Sequence, residues 1–215
     1  MEICLNHISK TLQKNTVIDD VTLQLESGAV YGLCGYNGCG KTMLMRLICG
    51  LIAPTSGEIL VDGQRLGEKS DFVPNTGMLI ETPAFLKEYD GFQNLSMLAA
   101  LNQKVSGEEI RETLARVGLG GNMKKFRKYS LGMKQRLGIA AAIMEKPQLL
   151  LLDEPTNALD SGGVEMMKRI FTEEKERGAL VVTACHDAAF LGEVSDVIYH
   201  IENGQIIRKE EIRNG

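Results

Sequence analysis

Eight residues constrain this chain more than any other feature. Gly35-Tyr36-Asn37-Gly38-Cys39-Gly40-Lys41-Thr42 fits the pattern G-x-x-x-x-G-K-[ST]. A short apolar run, Ala29–Cys34, precedes it, and apolar residues at helical spacing (Met43, Leu44, Leu47, Ile48) follow it. Strand, glycine-rich turn and helix in that order put the free N–H groups and partial positive charge of a helix N-terminus at the turn. Glycines let the backbone N–H groups face inward without a Cβ clash. Asn37, Gly38, Cys39, Gly40, Lys41, Thr42 and Met43 are therefore expected to wrap a polyphosphate. Lys41 would reach the terminal phosphates, and the Thr42 hydroxyl would ligate magnesium. The expected ligand class is a nucleoside triphosphate, and the expected frame is an α/β sheet.

A second segment agrees with the first. Leu149–Leu152 is four leucines in a row, which suits a parallel strand buried on both faces, and it ends in Asp153 and Glu154. Ligands bind at the carboxyl ends of such strands. Asp153 is expected to hold magnesium, and Glu154 to orient the attacking water as general base. Around these two anchors the pattern predicts strands at Glu2–Ser9, Thr16–Leu25, Glu58–Val61, Ala179–Cys185, Asp196–Ile201 and Gln205–Lys209. It predicts helices at Lys41–Cys49 (with Gly50 as cap), Gln93–Leu101, Gly107–Val117, Leu131–Met144 and Gly162–Arg177, and a short basic helical piece near Met123–Lys128. Ser106 followed by Glu109 has the form of a capping box.

Composition narrows the function. The chain has 215 residues and a net charge of −4, which gives no general reason to expect nucleic acid. Six Phe and five Tyr, with no Trp, make a poor stacking surface for single strands. No stretch approaches the roughly 20 apolar residues of a membrane span, and no signal peptide is visible at Met1–Cys4. The five cysteines are scattered without zinc spacing, so reduced thiols in a cytosolic protein are expected.

Leu149–Asp160, LLLLDEPTNALD, and Tyr129–Gln135, YSLGMKQ, resemble the ATP-binding subunit of ABC transporters, and the resemblance spans essentially the whole chain. Gly35–Thr42 matches Walker A, Asp153 and Glu154 match Walker B and its catalytic glutamate, and Asn157–Asp160 matches the D-loop. Ser130-Leu131-Gly132-Met133 aligns with the signature LSGGQ, and His186 with the switch histidine. The resemblance implies an α/β P-loop NTPase core of ABC ATPase type, with an N-terminal antiparallel β subdomain and an inserted α-helical subdomain. That is one domain, 1–215, with core 1–81 and 136–215 and a helical insertion at about 82–135. It also implies ATP and Mg2+ as ligands, with catalytic roles for Glu154 and His186. Two subunits would face head to tail, a homodimer or a pair with a second ATP-binding subunit. Ser130, Gly132 and Met133 of one would then meet the γ-phosphate held by the other. A separate transmembrane permease would be the membrane partner. The implied location is cytoplasmic, peripheral on the inner face of the cell membrane, through the permease. No nucleic acid is expected.

Departures from the family carry information. Leu12 stands where an aromatic usually stacks on adenine, leaving Tyr36 or another group to substitute. Glu81 replaces the usual Q-loop glutamine and is expected to coordinate magnesium. The run Glu81-Thr82-Pro83-Ala84-Phe85 is similar to the exporter branch typified by bacitracin- and lantibiotic-resistance ATPases, which implies export of a drug, peptide or lipid-like substrate. Leu131 and Met133 replace glycine and glutamine. Cys39, at a helix N-terminus, is expected to be alkylated with loss of nucleotide binding. Lys124, Lys125, Arg127, Lys128, Lys134 and Arg136 read as a solvated face beside the nucleotide rather than a nucleic-acid or membrane patch. Phe85, Leu86, Tyr89 and Phe92 are candidates for a permease-docking groove, or for the core of the insertion. A non-transport ABC ATPase of repair, translation or assembly is the alternative function, weakened by the lack of coiled coils, tandem domains or zinc modules.

Overall fold

The computed structural model describes residues 1–68 and 70–212. The chain opens with β1 (Glu2–Leu12) and β2 (Asn15–Glu26), then β3 (Ala29–Cys34) and α1 (Lys41–Ile48). Next come β4 (Ser56–Val61), β5 (Gln64–Arg65) and β6 (Thr76–Leu79). Helices α2 (Gly91–Asn102) and α3 (Gly107–Arg116) follow, with a 3-10 turn at Phe126–Lys128. The chain then continues through α4 (Leu131–Ile143), β7 (Leu149–Asp153), α5 (Ser161–Glu176), β8 (Leu180–Cys185), α6 (Ala188–Val194), β9 (Val197–Glu202) and β10 (Gln205–Glu211).

Two sheets result, and the sequence pattern of each states its environment. One is a four-stranded antiparallel sheet ordered β2-β1-β4-β5. Its strands alternate: Ile3, Leu5, Ile18, Val21, Leu23 and Leu25 are buried between more exposed neighbours. The other has six strands ordered β10-β9-β3-β8-β7-β6, parallel except for the β9–β10 hairpin. Its centre reads as unbroken apolar runs, and all six residues of β8 and the four leucines of β7 are buried. That is the signature of strands covered on both faces. One apolar cluster, including Leu95, Leu114, Leu137, Ile139 and Phe171, covers one face, and a second, including Leu44, Leu47, Ile3 and Leu25, covers the other.

Three elements escaped the sequence reading. β5 is two polar residues, and α6 is seven residues started by the Asp187 side chain, which accepts from the N–H groups of Ala189 and Phe190. β6 is the instructive one, because Gly77 breaks its apolar pattern. A Cβ at Gly77 would lie 1.9 Å from the carbonyl oxygen of Ala142. The residue that weakens the strand signal is the one that lets α4 lie against the sheet. Only Phe126–Lys128 of the basic piece expected at 123–128 is helical. At the end of α1 the cap is Cys49, with Gly50 following at φ +83°. The Ser106–Glu109 capping box is present, and Asp90 with Gln93 forms a second.

Candidate functional site

Strand β3 delivers the chain into the loop at 35–40, and α1 carries it away. Gly35 has no room for a side chain, since a Cβ would lie 2.4 Å from the carbonyl oxygen of Ile201 on β9. Gly40 starts α1 at φ 116°, a conformation L side chains rarely adopt. The Lys41 side chain is buried, and Nζ donates to the carbonyls of Gly35 at 2.6 Å and Tyr36 at 3.2 Å. The loop thus closes on its own cation.

β7, one strand beyond β8 in the sheet, ends level with this loop, and its carboxylates reach it. Thr42 Oγ1 donates to Asp153 Oδ2 at 2.5 Å. Lys41 Nζ is 3.9 Å from Glu154 Oε1. Burial pushes the Asp153 carboxyl above its usual range; the Thr42 hydrogen bond opposes that and the Glu154 charge adds to it. A cavity of about 430 Å³ lies here, lined by Asn37, Gly38, Gly40, Lys41, Thr42, Met43, Glu81, Asp153 and Glu154 together with Val17 and Arg46. Nine of the residues singled out in the sequence therefore share one cavity wall. His186, at the end of β8, joins them through Glu154: its Nδ1 is 2.9 Å from Oε2. Glu154 Oε1 is buried and has no hydrogen-bond partner among the described residues.

Ser130, Gly132 and Met133 are not on that wall. Ser130 is exposed, and its hydroxyl accepts from the Met133 N–H at 3.2 Å as the N-cap of α4. Gly132 packs under the D-loop segment, where a Cβ would lie 2.7 Å from the carbonyl oxygen of Ala158. Leu131, 65% exposed, reaches a second cavity of about 360 Å³ that also touches Glu81, Asp153, Glu154 and Asn157.

One expectation is corrected. Cys39 is 1% exposed and packs into the core behind the loop, so its thiol faces away from any reagent in solvent. The alkylation expected of it has no route. The exposed ring of Tyr36 is tied to the β9–β10 turn, its hydroxyl donating to Asn203 Oδ1 at 2.5 Å. Leu12 is 41% exposed and lines neither cavity, while Val17 does line the first. The basic segment is largely engaged within the chain. Lys125 and Arg127 pair with Glu88, Arg136 pairs with Asp160 at 2.9 Å, and Lys134 lies over the Phe126 ring.

Three contributors went unnoticed in the sequence. Arg46, which ion-pairs with Glu81, stands one helical turn after Thr42, a spacing that puts both on one face of α1. Gln135 Nε2 donates to the carbonyls of Glu154 and Pro155, each at 3.2 Å. Val17, the third, gave no sequence signal.

A phosphate loop between β3 and α1, facing carboxylates at the end of a parallel strand two places along the same sheet, defines a P-loop nucleotide hydrolase. Residues 18–157 match the ABC transporter family. Over 207 residues, 96% of this chain and 95% of the relative, the sequence is 41% identical to YybJ, an uncharacterized ABC transporter ATP-binding protein of Bacillus subtilis (strain 168). It is 36% identical over 209 residues to the bacitracin transport ATP-binding protein BcrA of Enterococcus faecalis, covering 96% of this chain and 68% of that one. A solved ATP-binding subunit of an ABC transporter superposes with TM-score 0.87 at 27% identity, over 99% of this chain and 90% of that one. The chain belongs to the ABC transporter family, as an ATP-binding and ATP-hydrolysing subunit.

Proposed function

We propose that this subunit powers export of a drug, peptide or lipid-like substrate, working on the inner face of the cell membrane through a separate permease. The observation that carries the motor role is the joint wall of Lys41, Thr42, Asp153 and Glu154, with His186 on the far oxygen of Glu154. Lys41 and the loop N–H groups bind the β- and γ-phosphates. Glu154 Oε1, buried and without a hydrogen-bond partner among the described residues, takes the proton of the attacking water. His186 orients that carboxylate and meets the γ-phosphate. The Thr42 hydroxyl and the Asp153 and Glu81 carboxylates are hard oxygen donors, and they fit magnesium. When bound there, magnesium neutralises charge on the β- and γ-phosphates.

Export is supported by the likeness to the bacitracin transport protein and by Glu81-Thr82-Pro83-Ala84-Phe85. Two such subunits close head to tail on ATP, with Ser130 and the backbone at Gly132 and Met133 completing the partner's site. Among the described residues no helix is long and apolar enough to cross a membrane. A permease would supply the membrane path, and a groove of about 340 Å³ suits its contact. The groove runs from Arg46 and Leu51 across Met78–Phe85 to Leu98 and Gly138. Segment 82–135 forms one bank of it, as an inserted helical subdomain would. Leu86 and Tyr89 remain exposed nearby, whereas the Phe92 ring is covered by the Arg111 guanidinium at 4.7 Å. Leu98→Glu, in the groove, should abolish co-purification with a multi-span membrane protein while the isolated subunit still hydrolyses ATP. Retained co-purification would remove the groove from the proposal.

A further inference from the structure

The ends of β7 and β8 bring together three side chains of different chemistry. A Glu154 carboxylate oxygen, the Cys185 sulfur and a His186 ring nitrogen lie within 4.8 Å of one another. Glu154 Oε2 and His186 Nδ1 are already 2.9 Å apart. Ligand atoms around a tetrahedral zinc ion, with bonds of about 2.0–2.3 Å, stand roughly 3.3–3.8 Å from each other. Shifts of about 1 Å in the side chains close the set. Thiolate, imidazole and carboxylate together suit zinc, and the thiolate turns the set away from magnesium.

The surroundings support a ligand here. Glu154 Oε2 faces His186, while Oε1, 3.9 Å from Lys41 Nζ, is buried with no hydrogen-bond partner among the described residues, which leaves the carboxylate free to turn toward an ion. Cys185 is fully buried, yet its sulfur has only weak contacts: the Asp187 N–H at 3.4 Å and the Thr156 hydroxyl at 3.9 Å. The His186 side chain is 59% exposed, so an ion has an approach from solvent.

We propose that the nucleotide-free protein binds one zinc ion through Glu154, Cys185 and His186, and that the bound ion stops ATP hydrolysis. Binding releases the Cys185 thiol proton to solvent and leaves the fourth tetrahedral position to water. Hydrolysis stops because zinc occupies the carboxylate and the imidazole that would otherwise serve the attacking water. The site rests on geometry alone; the block rests on the roles proposed above for Glu154 and His186.

Cobalt(II) is the probe, since its thiolate complexes absorb in the near ultraviolet. Titrating nucleotide-free protein with cobalt alone should give a thiolate band saturating at one equivalent and erased by zinc. Calorimetry should show Cys185→Ser binding zinc at least tenfold more weakly, with the band gone; Cys185→Ala is the second variant should the serine fold poorly. Cys4→Ser should leave both readings unchanged. Hydrolysis in Mg2+ and ATP should fall on adding one equivalent of zinc and return with a chelator. A missing band, or one that survives in both Cys185 variants, overturns the site. Zinc bound through Cys185 with hydrolysis undiminished overturns the block. If no hydrolysis occurs in magnesium alone, the ATPase reading fails, and the cobalt spectrum still decides the site.

Discussion

The phosphate loop and the Ser130–Met133 segment are both helix N-termini with glycine and a hydroxyl, yet their surroundings differ sharply. At the loop, Lys41 is buried, its ammonium is held by two carbonyls, and Thr42 is already bonded to Asp153. At the start of α4, Ser130 is exposed and bonds only within its own turn, and Leu131 points outward. Both termini are electrostatically suited to phosphate. Only the first has a wall of its own chain around it. At the second, Leu131 reaches the smaller cavity while Ser130, Gly132 and Met133 line neither, which is the arrangement expected of an element that completes another molecule's site.

The contrast can be broken by substitution. Glu154→Gln should lower hydrolysis by about 10²–10⁴-fold while ATP binding persists in a filter or fluorescence assay. Normal turnover in that variant would remove Glu154 as the base. Gly77→Ala should destabilise the fold by roughly 1–3 kcal/mol in denaturant melts, because its Cβ would meet the α4 backbone. If stability is unchanged, α4 is not as firmly seated as the 1.9 Å approach requires.

Ser130→Ala separates the two readings of that serine. As a cap alone it should cost about 1 kcal/mol of stability and leave ATP-driven dimerisation intact. As a trans ligand it should also weaken the ATP-bound dimer on a sizing column. Gly132 cannot make that distinction, since any side chain there also strikes the carbonyl of Ala158. The smallest effect is expected at Asp90→Ala, also about 1 kcal/mol but confined to α2, with hydrolysis unchanged. A loss of hydrolysis there would mean that the α2 region bears on the loop.

What the sequence revealed follows the same divide. Local chemistry was legible: the loop, the leucine strand with its two carboxylates, and the Ser106–Glu109 cap all announce themselves in a few consecutive residues. Contacts between distant segments were not. Arg46 with Glu81 and Gln135 with the Glu154 carbonyl join positions whose own windows say nothing about each other. Cys39 was misread for a related reason. A helix N-terminus describes the backbone, whereas exposure depends on whether the side chain turns toward solvent or core, and here Ile201 and its neighbours decide that. β6 was hidden by the very glycine that permits it.

The bridge made by Gln135 has one more implication. Its amide grips the main chain at both Glu154 and Pro155, and it sits one helical turn beyond Leu131 on α4. A push on the first turn of α4 would thus reach the peptide that aims the proposed base. In a head-to-tail pair, whatever nucleotide one subunit holds would press on its neighbour's α4 and, through that amide, on its neighbour's own carboxylate. Two such sites would behave as a single oscillator rather than two independent clocks, and turnover should rise sigmoidally with ATP.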